Sequence, residues 1–100
     1  MKLHGNADDN QANHHLYEIR DRVDDSVLKY GISAEPIDSD GLSKRIRIQL
    51  QSFNLGAGWL RYFGAILMIN LPGRRYAKQL EQEHVEAYER ATGRRPRGNR

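Results

Sequence analysis

From Leu60 to Leu71 the chain is almost continuously apolar, broken only by Arg61 and Asn70. A run of this composition belongs against a core, and no arrangement of the chain that leaves it in water is acceptable. It is shorter than the roughly 20 residues that span a bilayer, so it reads as interior protein and no membrane role is expected. Gly56-Ala57-Gly58 precedes it and Pro72-Gly73 closes it, both as turn signals. Its aromatic and branched side chains favour a strand, with a short buried helix as the alternative over residues 59–71.

The segment after Pro72 has a clear helical period. Tyr76, Leu80, His84 or Val85, Tyr88 and Ala91 form one stripe, and Gln79, Glu81, Glu83, Glu86, Glu89 and Arg90 cover the rest. Thr92-Gly93 is a stop. Near the front of the chain, Leu16, Ile19, Val23 and Val27 recur at three- and four-residue intervals among charged residues. The spacing predicts a helix over residues 13–30 that ends at Gly31. Ile32 to Ile37, interrupted by Pro36, reads as a short edge strand, and Asp40-Gly41 as a turn. Arg45 to Gln51 then alternates polar and apolar without a fault. This predicts a strand with Ile46, Ile48 and Leu50 inward and Arg45, Arg47, Gln49 and Gln51 outward. A helical stripe of Leu42, Ile46, Leu50 and Phe53 competes with it but leaves Ile48 among polar residues.

The expected fold class is therefore α+β: a small antiparallel three-stranded sheet with two helices on one face, in the order α-β-β-β-α. The alternative is an all-α bundle of four helices. Residues 1–11 read as a flexible polar N-terminus, 12–93 as one domain and 94–100 as a basic disordered tail. The order, with the basic helix start from Gly73 to Lys78, resembles the double-stranded-RNA-binding domain. That resemblance implies that Arg74, Arg75 and Lys78 lie across phosphates. The first helix, with Asp21, Asp24 and Asp25, is acidic where that family presents a surface to RNA.

Charge is divided along the chain. Residues 1–43 carry a net −5 and residues 44–100 a net +8. An acidic front and a basic back suit a charged partner. Cysteine is absent, which removes disulfides and thiolate metal sites and is compatible with a cytoplasmic location. His4, His14, His15 and His84 lack the spacing of a metal site. No nucleophile elbow, phosphate loop or paired catalytic acid is present, so neither an enzyme nor a cofactor is expected.

Two functions remain. The first is a protein-interaction module: an accessory, assembly or inhibitor protein of a phage or mobile element, binding another protein or its own copies, with Trp59, Tyr62 and Phe63 as anchors. The second is nucleic-acid binding. The candidate contacts are Arg45, Arg47, Gln49 and Gln51 on the strand face, Arg74, Arg75 and Lys78 at the last helix, and Arg94, Arg95 and Arg97 in the tail.

Overall fold

A computed structural model describes residues 10–99. The chain runs β1 (Asn13–Asp21), β2 (Val27–Ser33), α1 (Lys44–Ala57), β3 (Tyr62–Pro72) and α2 (Arg74–Thr92). The strands form one antiparallel sheet in the order β2-β1-β3. The α+β class, the three antiparallel strands, the strand after Arg61 and the final helix match the sequence reading; the four-helix alternative does not. The order of elements differs, and the topology behind the likeness to a double-stranded-RNA-binding domain goes with it. The flexible N-terminus expected from the sequence lies largely outside the described residues.

The expected first helix is a β-hairpin. Its turn is built by the aspartates: the Asp21 N–H donates to the Ser26 carbonyl at 2.9 Å, Asp25 adopts φ 58°, and Asp24 accepts from the Ser26 N–H and hydroxyl. Asp and Asn tolerate such conformations because their short side chains bond locally. β1 is the middle strand and is covered on both faces, so Leu16, Tyr17 and Ile19 are all fully buried and no simple alternation appears.

The expected second strand is helix α1. Its Ile46, Leu50 and Phe53, with Leu42 just before the helix, pack against Tyr17, Ile19 and Leu28. Ile48, which made the strand attractive, stays 54% exposed. One solvated isoleucine costs less than losing a four-residue apolar seam. Gly58 ends α1 in the left-handed conformation, its N–H donating to the Asn54 and Leu55 carbonyls.

The helices lie on opposite faces, not on one. Leu16 packs with Val27, Tyr30, Ile32 and Leu71 beneath Ala77 and Val85 of α2, whereas Tyr17 and Ile19 pack beneath Ile46 of α1. Successive strand side chains point oppositely, so Leu16 and Tyr17 divide the two cores. β3 is an edge strand, and its Leu67, Met68 and Ile69 are exposed rather than interior.

Residues 94–99 return along β2. Pro96 is fully buried, and the Gly98 N–H donates to the Leu28 carbonyl at 2.7 Å. The Asn99 amide brackets Tyr30, accepting from its N–H at 2.7 Å and donating to its carbonyl at 2.9 Å. The segment expected as a basic disordered tail thus lies along the otherwise open β2 edge. Among the described residues no helix is long and apolar enough to cross a membrane.

Candidate active site

The site begins with a register irregularity. Ile19 pairs with Lys29 while Arg20 pairs with Val27, which leaves Leu28 as an extra residue in β2. Such a bulge re-aims the strand. It brings Lys29 and Gly31 opposite Ile19 and Tyr17, on the α1 face. Gly31 is required there by space: a Cβ would meet the Tyr17 Cζ and Oη at 2.4 Å. The buried Tyr17 ring therefore reaches over Gly31 towards the β2 edge.

At that edge a pocket of about 200 Å³ is lined by Tyr17, Lys29, Tyr30, Gly31, Arg45, Arg74, Lys78, Glu81 and Asn99 among others. Arg45 comes from the first turn of α1. One turn on, Gln49 accepts the Tyr17 O–H at 2.8 Å and fixes the phenol. Arg74, Lys78 and Glu81 are spaced four and three apart, so α2 presents them as one stripe. Two helices and two strands thus converge two tyrosines, one carboxylate and four cationic side chains among the described residues.

The local field is distinctive. Burial pushes the Glu81 carboxyl above its ordinary range, although Lys29, Arg74, Lys78 and Arg45 oppose the shift. Burial lowers the Lys29 ammonium, helped by Arg45. Burial raises the Tyr17 phenol, against the pull of Arg45 and Gln49. Desolvation dominates all three, so each group is held closer to its neutral form. Groups perturbed in this way within a cleft are suited to proton transfer, and the cations around them to an anion.

The sequence candidates separate. Arg45, Arg74 and Lys78 line the pocket, and Gln49 supports it through Tyr17. Arg47 does not, because it pairs with Asp38 and Asp40. Arg95 pairs with Glu89, and Arg97 pairs with Asp21. Arg94 sits with the tail beside Tyr88, and Arg75 is exposed on α2 away from the pocket stripe. Gln51 borders a different, apolar groove of about 670 Å³ with Leu50, Leu55, Trp59 and Leu60. The strand face expected to join Arg45, Arg47, Gln49 and Gln51 does not exist, since helical spacing sends these residues to different sides.

Tyr17, Lys29, Glu81 and Asn99 were missed. Three of them sit in segments whose structure was misread, and Glu81 was absorbed into a polar helix face. The usable signal was Tyr30-Gly31: a glycine inside a strand marks a close approach by another group. Among the described residues, no group of three or more His, Cys, Asp or Glu could hold a metal ion.

Among the described residues, several acids of the front are paired within the fold. Asp21 is buried and accepts from Arg61 at 3.0 and 2.8 Å and from Arg97 at 2.9 Å. Glu18 pairs with Arg20, and Asp38 and Asp40 with Arg47. These acids are thus engaged away from the pocket.

No curated protein and no solved structure matches the chain. The model of one family, described as URI fold toxin 2, matches residues 7–93, a span that holds every pocket residue named above except Asn99. With nearly its whole length matched, this small toxin-like chain belongs to the URI fold toxin 2 family.

Proposed function

We propose that the chain acts on nucleic acid by hydrolysing a phosphodiester in the Tyr17–Glu81 pocket. The observation that carries this reading is the convergence of Lys29, Arg45, Arg74 and Lys78 around the half-buried Glu81 carboxyl, with its raised proton affinity. The cations would hold the phosphate oxygens and offset charge that grows on them in the transition state. Water adds to phosphorus, the ester P–O bond breaks, and the leaving oxygen takes a proton. Glu81 is the group suited to accept the proton of the attacking water, and Lys29, made more acidic by burial, is suited to supply the other. Tyr17, anchored by Gln49, shapes the phosphate seat. As the carboxylate of the pocket, Glu81 is also the residue that would hold a hydrated Mg²⁺, which needs only one or two carboxylates and would add charge stabilisation.

A toxin of a phage or mobile element fits this chemistry, because a broken nucleic acid harms any cell. The proposal replaces the expectation of a non-enzymatic binder, since a purely binding surface has no need of a carboxyl held against four cations. The test is incubation of the purified chain with labelled RNA and DNA, with Mg²⁺ or with EDTA. Cleavage by the wild type and its loss in Glu81→Gln and Arg45→Ala, both still folded, support hydrolysis. Intact strands throughout, or equal cleavage by all three proteins, overturn it.

A second reading, interaction with its own copies, draws on a separate observation. Leu55 is 84% exposed and Trp59 52% exposed at the rim of the apolar groove at the end of α1. Exposed apolar clusters of this kind favour association. Light scattering of the wild type and Trp59→Glu tests it: self-association lost in the variant supports the reading, and a monomeric wild type at high concentration removes it.

A further inference from the structure

A second pocket, of about 360 Å³, shares Arg45 and Arg74 with the first and is otherwise lined by His14, Ile32, Ser33, Ala34, Glu35 and Pro36. The two arginines stand at the border, so whatever anion they hold has its neighbouring group in this second space. Its volume falls in the range of small-molecule sites, which begins at about 300 Å³.

His14 gives the pocket its chemistry. The ring is only 2% exposed, and its Nδ1 lies 2.7 Å from the Ala12 carbonyl. A carbonyl only accepts, so Nδ1 carries the hydrogen, and in the neutral tautomer this leaves Nε2 as a lone pair. That Nε2 is buried and has no hydrogen-bond partner among the described residues. A buried acceptor left unpaired is costly and calls for a ligand or water. Glu35 adds a carboxylate to the same lining, while Ile32, Ala34 and Pro36 offer an apolar wall. The pocket therefore contrasts with its neighbour: acceptors and apolar surface here, cations and a phosphate seat there.

We infer that this second pocket is the subsite for the nucleoside next to the bound phosphate, and that His14 Nε2 accepts a hydrogen bond from that nucleoside. This rests on the phosphodiester reading of the first pocket. The shared ligand chemistry is a neutral O–H or N–H donor beside a phosphate, supplied either by a ribose 2′-hydroxyl or by an amino group of a base.

The test is anisotropy binding, read before turnover, of fluorescein-labelled RNA, DNA of the same sequence, and an abasic deoxyribose strand of the same length. The expected wild-type result is that the abasic strand binds about tenfold more weakly than the strand carrying the donor, the scale of one hydrogen bond to a buried group. RNA preferred over DNA identifies the 2′-hydroxyl, and RNA and DNA equal but both above the abasic strand identify the base. His14→Phe keeps the ring volume and removes the acceptor. It is expected to erase the preference while leaving abasic binding unchanged. Equal wild-type affinity for all three strands overturns the subsite and leaves the phosphate reading standing. An equal loss across all three strands in His14→Phe overturns the role of His14. Failure of the wild type to bind any strand overturns both readings.

Discussion

Asp21 and Glu81 are both carboxylates set among cations, yet their surroundings push them in opposite directions. Asp21 sits at the hairpin turn, where the Arg61 guanidinium foremost, then the Val23 N–H and Arg97, hold its carboxyl well below the usual carboxylate range. Glu81 sits in a pocket, where burial outweighs four neighbouring cations and pushes its carboxyl up. The difference is one of contact. Bonds made directly to the oxygens stabilise the anion and fasten structure together, whereas nearby charge without full solvation leaves a carboxyl ready to exchange a proton. The first arrangement ties β1, the start of β3 and the C-terminal segment into one cluster. The second gathers cations from two helices and a strand around the pocket that Glu81 lines.

The largest expected effect that would break this contrast is on chemistry. Glu81→Gln should lower phosphodiester cleavage by about 100-fold or more while binding persists, as expected for loss of a proton-transferring group. The same variant should melt no earlier than the wild type at neutral pH. The sign follows from the raised carboxyl: a group with higher proton affinity in the folded state loses stability as pH rises past its unfolded value, so removing its charge relieves the fold. A fall in Tm would make Glu81 a structural residue like Asp21.

Next in size is the opposite variant. Asp21→Ala should lower Tm by about 10 °C, because it leaves Arg61 and Arg97 without their shared acceptor, while the pocket residues stay intact. Wild-type stability should follow the same carboxyl in pH. With its proton affinity depressed, Asp21 contributes fully above its unfolded value near pH 4 and loses that contribution as pH falls further, so acid melting should be shallower in the variant. Parallel acid curves for the two proteins would count against the cluster.

Gly31→Ala sharpens the comparison from the pocket side. The new methyl would meet Tyr17 at 2.4 Å, so the phenol must move, at a cost of about 2 kcal/mol. Activity should fall with stability here, unlike in Glu81→Gln; retained activity would show that the position of Tyr17 is unimportant. The smallest effect is expected from Arg47→Ala. Arg47 stands two residues from Arg45 on the same helix but faces Asp38 and Asp40, so nucleic-acid binding should be unchanged in a salt titration. A loss matching that of Arg45→Ala would mean the cationic surface extends beyond the pocket.

The sequence was legible where one face alone is buried. The stripe of α2 and its Gly93 stop stood out, as did the apolar run of β3. It was misleading where burial is two-sided or incomplete. β1 carries Leu16 for one core and Tyr17 and Ile19 for the other, and this doubled pattern happens to reproduce helical intervals. In α1 the true seam was visible, but the exposed Ile48 imitated a strand. Of the site, Arg45, Arg74 and Lys78 were readable as cations available to phosphate. Their meeting with Tyr17, Lys29 and Glu81 was not, because it depends on a bulge opposite Ile19, on the missing side chain of Gly31, and on a topology with the helices on opposite faces.

The most direct measurement is a titration of the carboxyl carbons of Asp21 and Glu81 by NMR in the folded protein. The expected result is two separated midpoints, with Glu81 above the ordinary glutamate value of about 4.3 and Asp21 far below the ordinary aspartate value of about 3.9. A Glu81 midpoint at or below the ordinary value would mean that its cations bind it as a structural partner, and the contrast between a fastening cluster and a reactive pocket would fail.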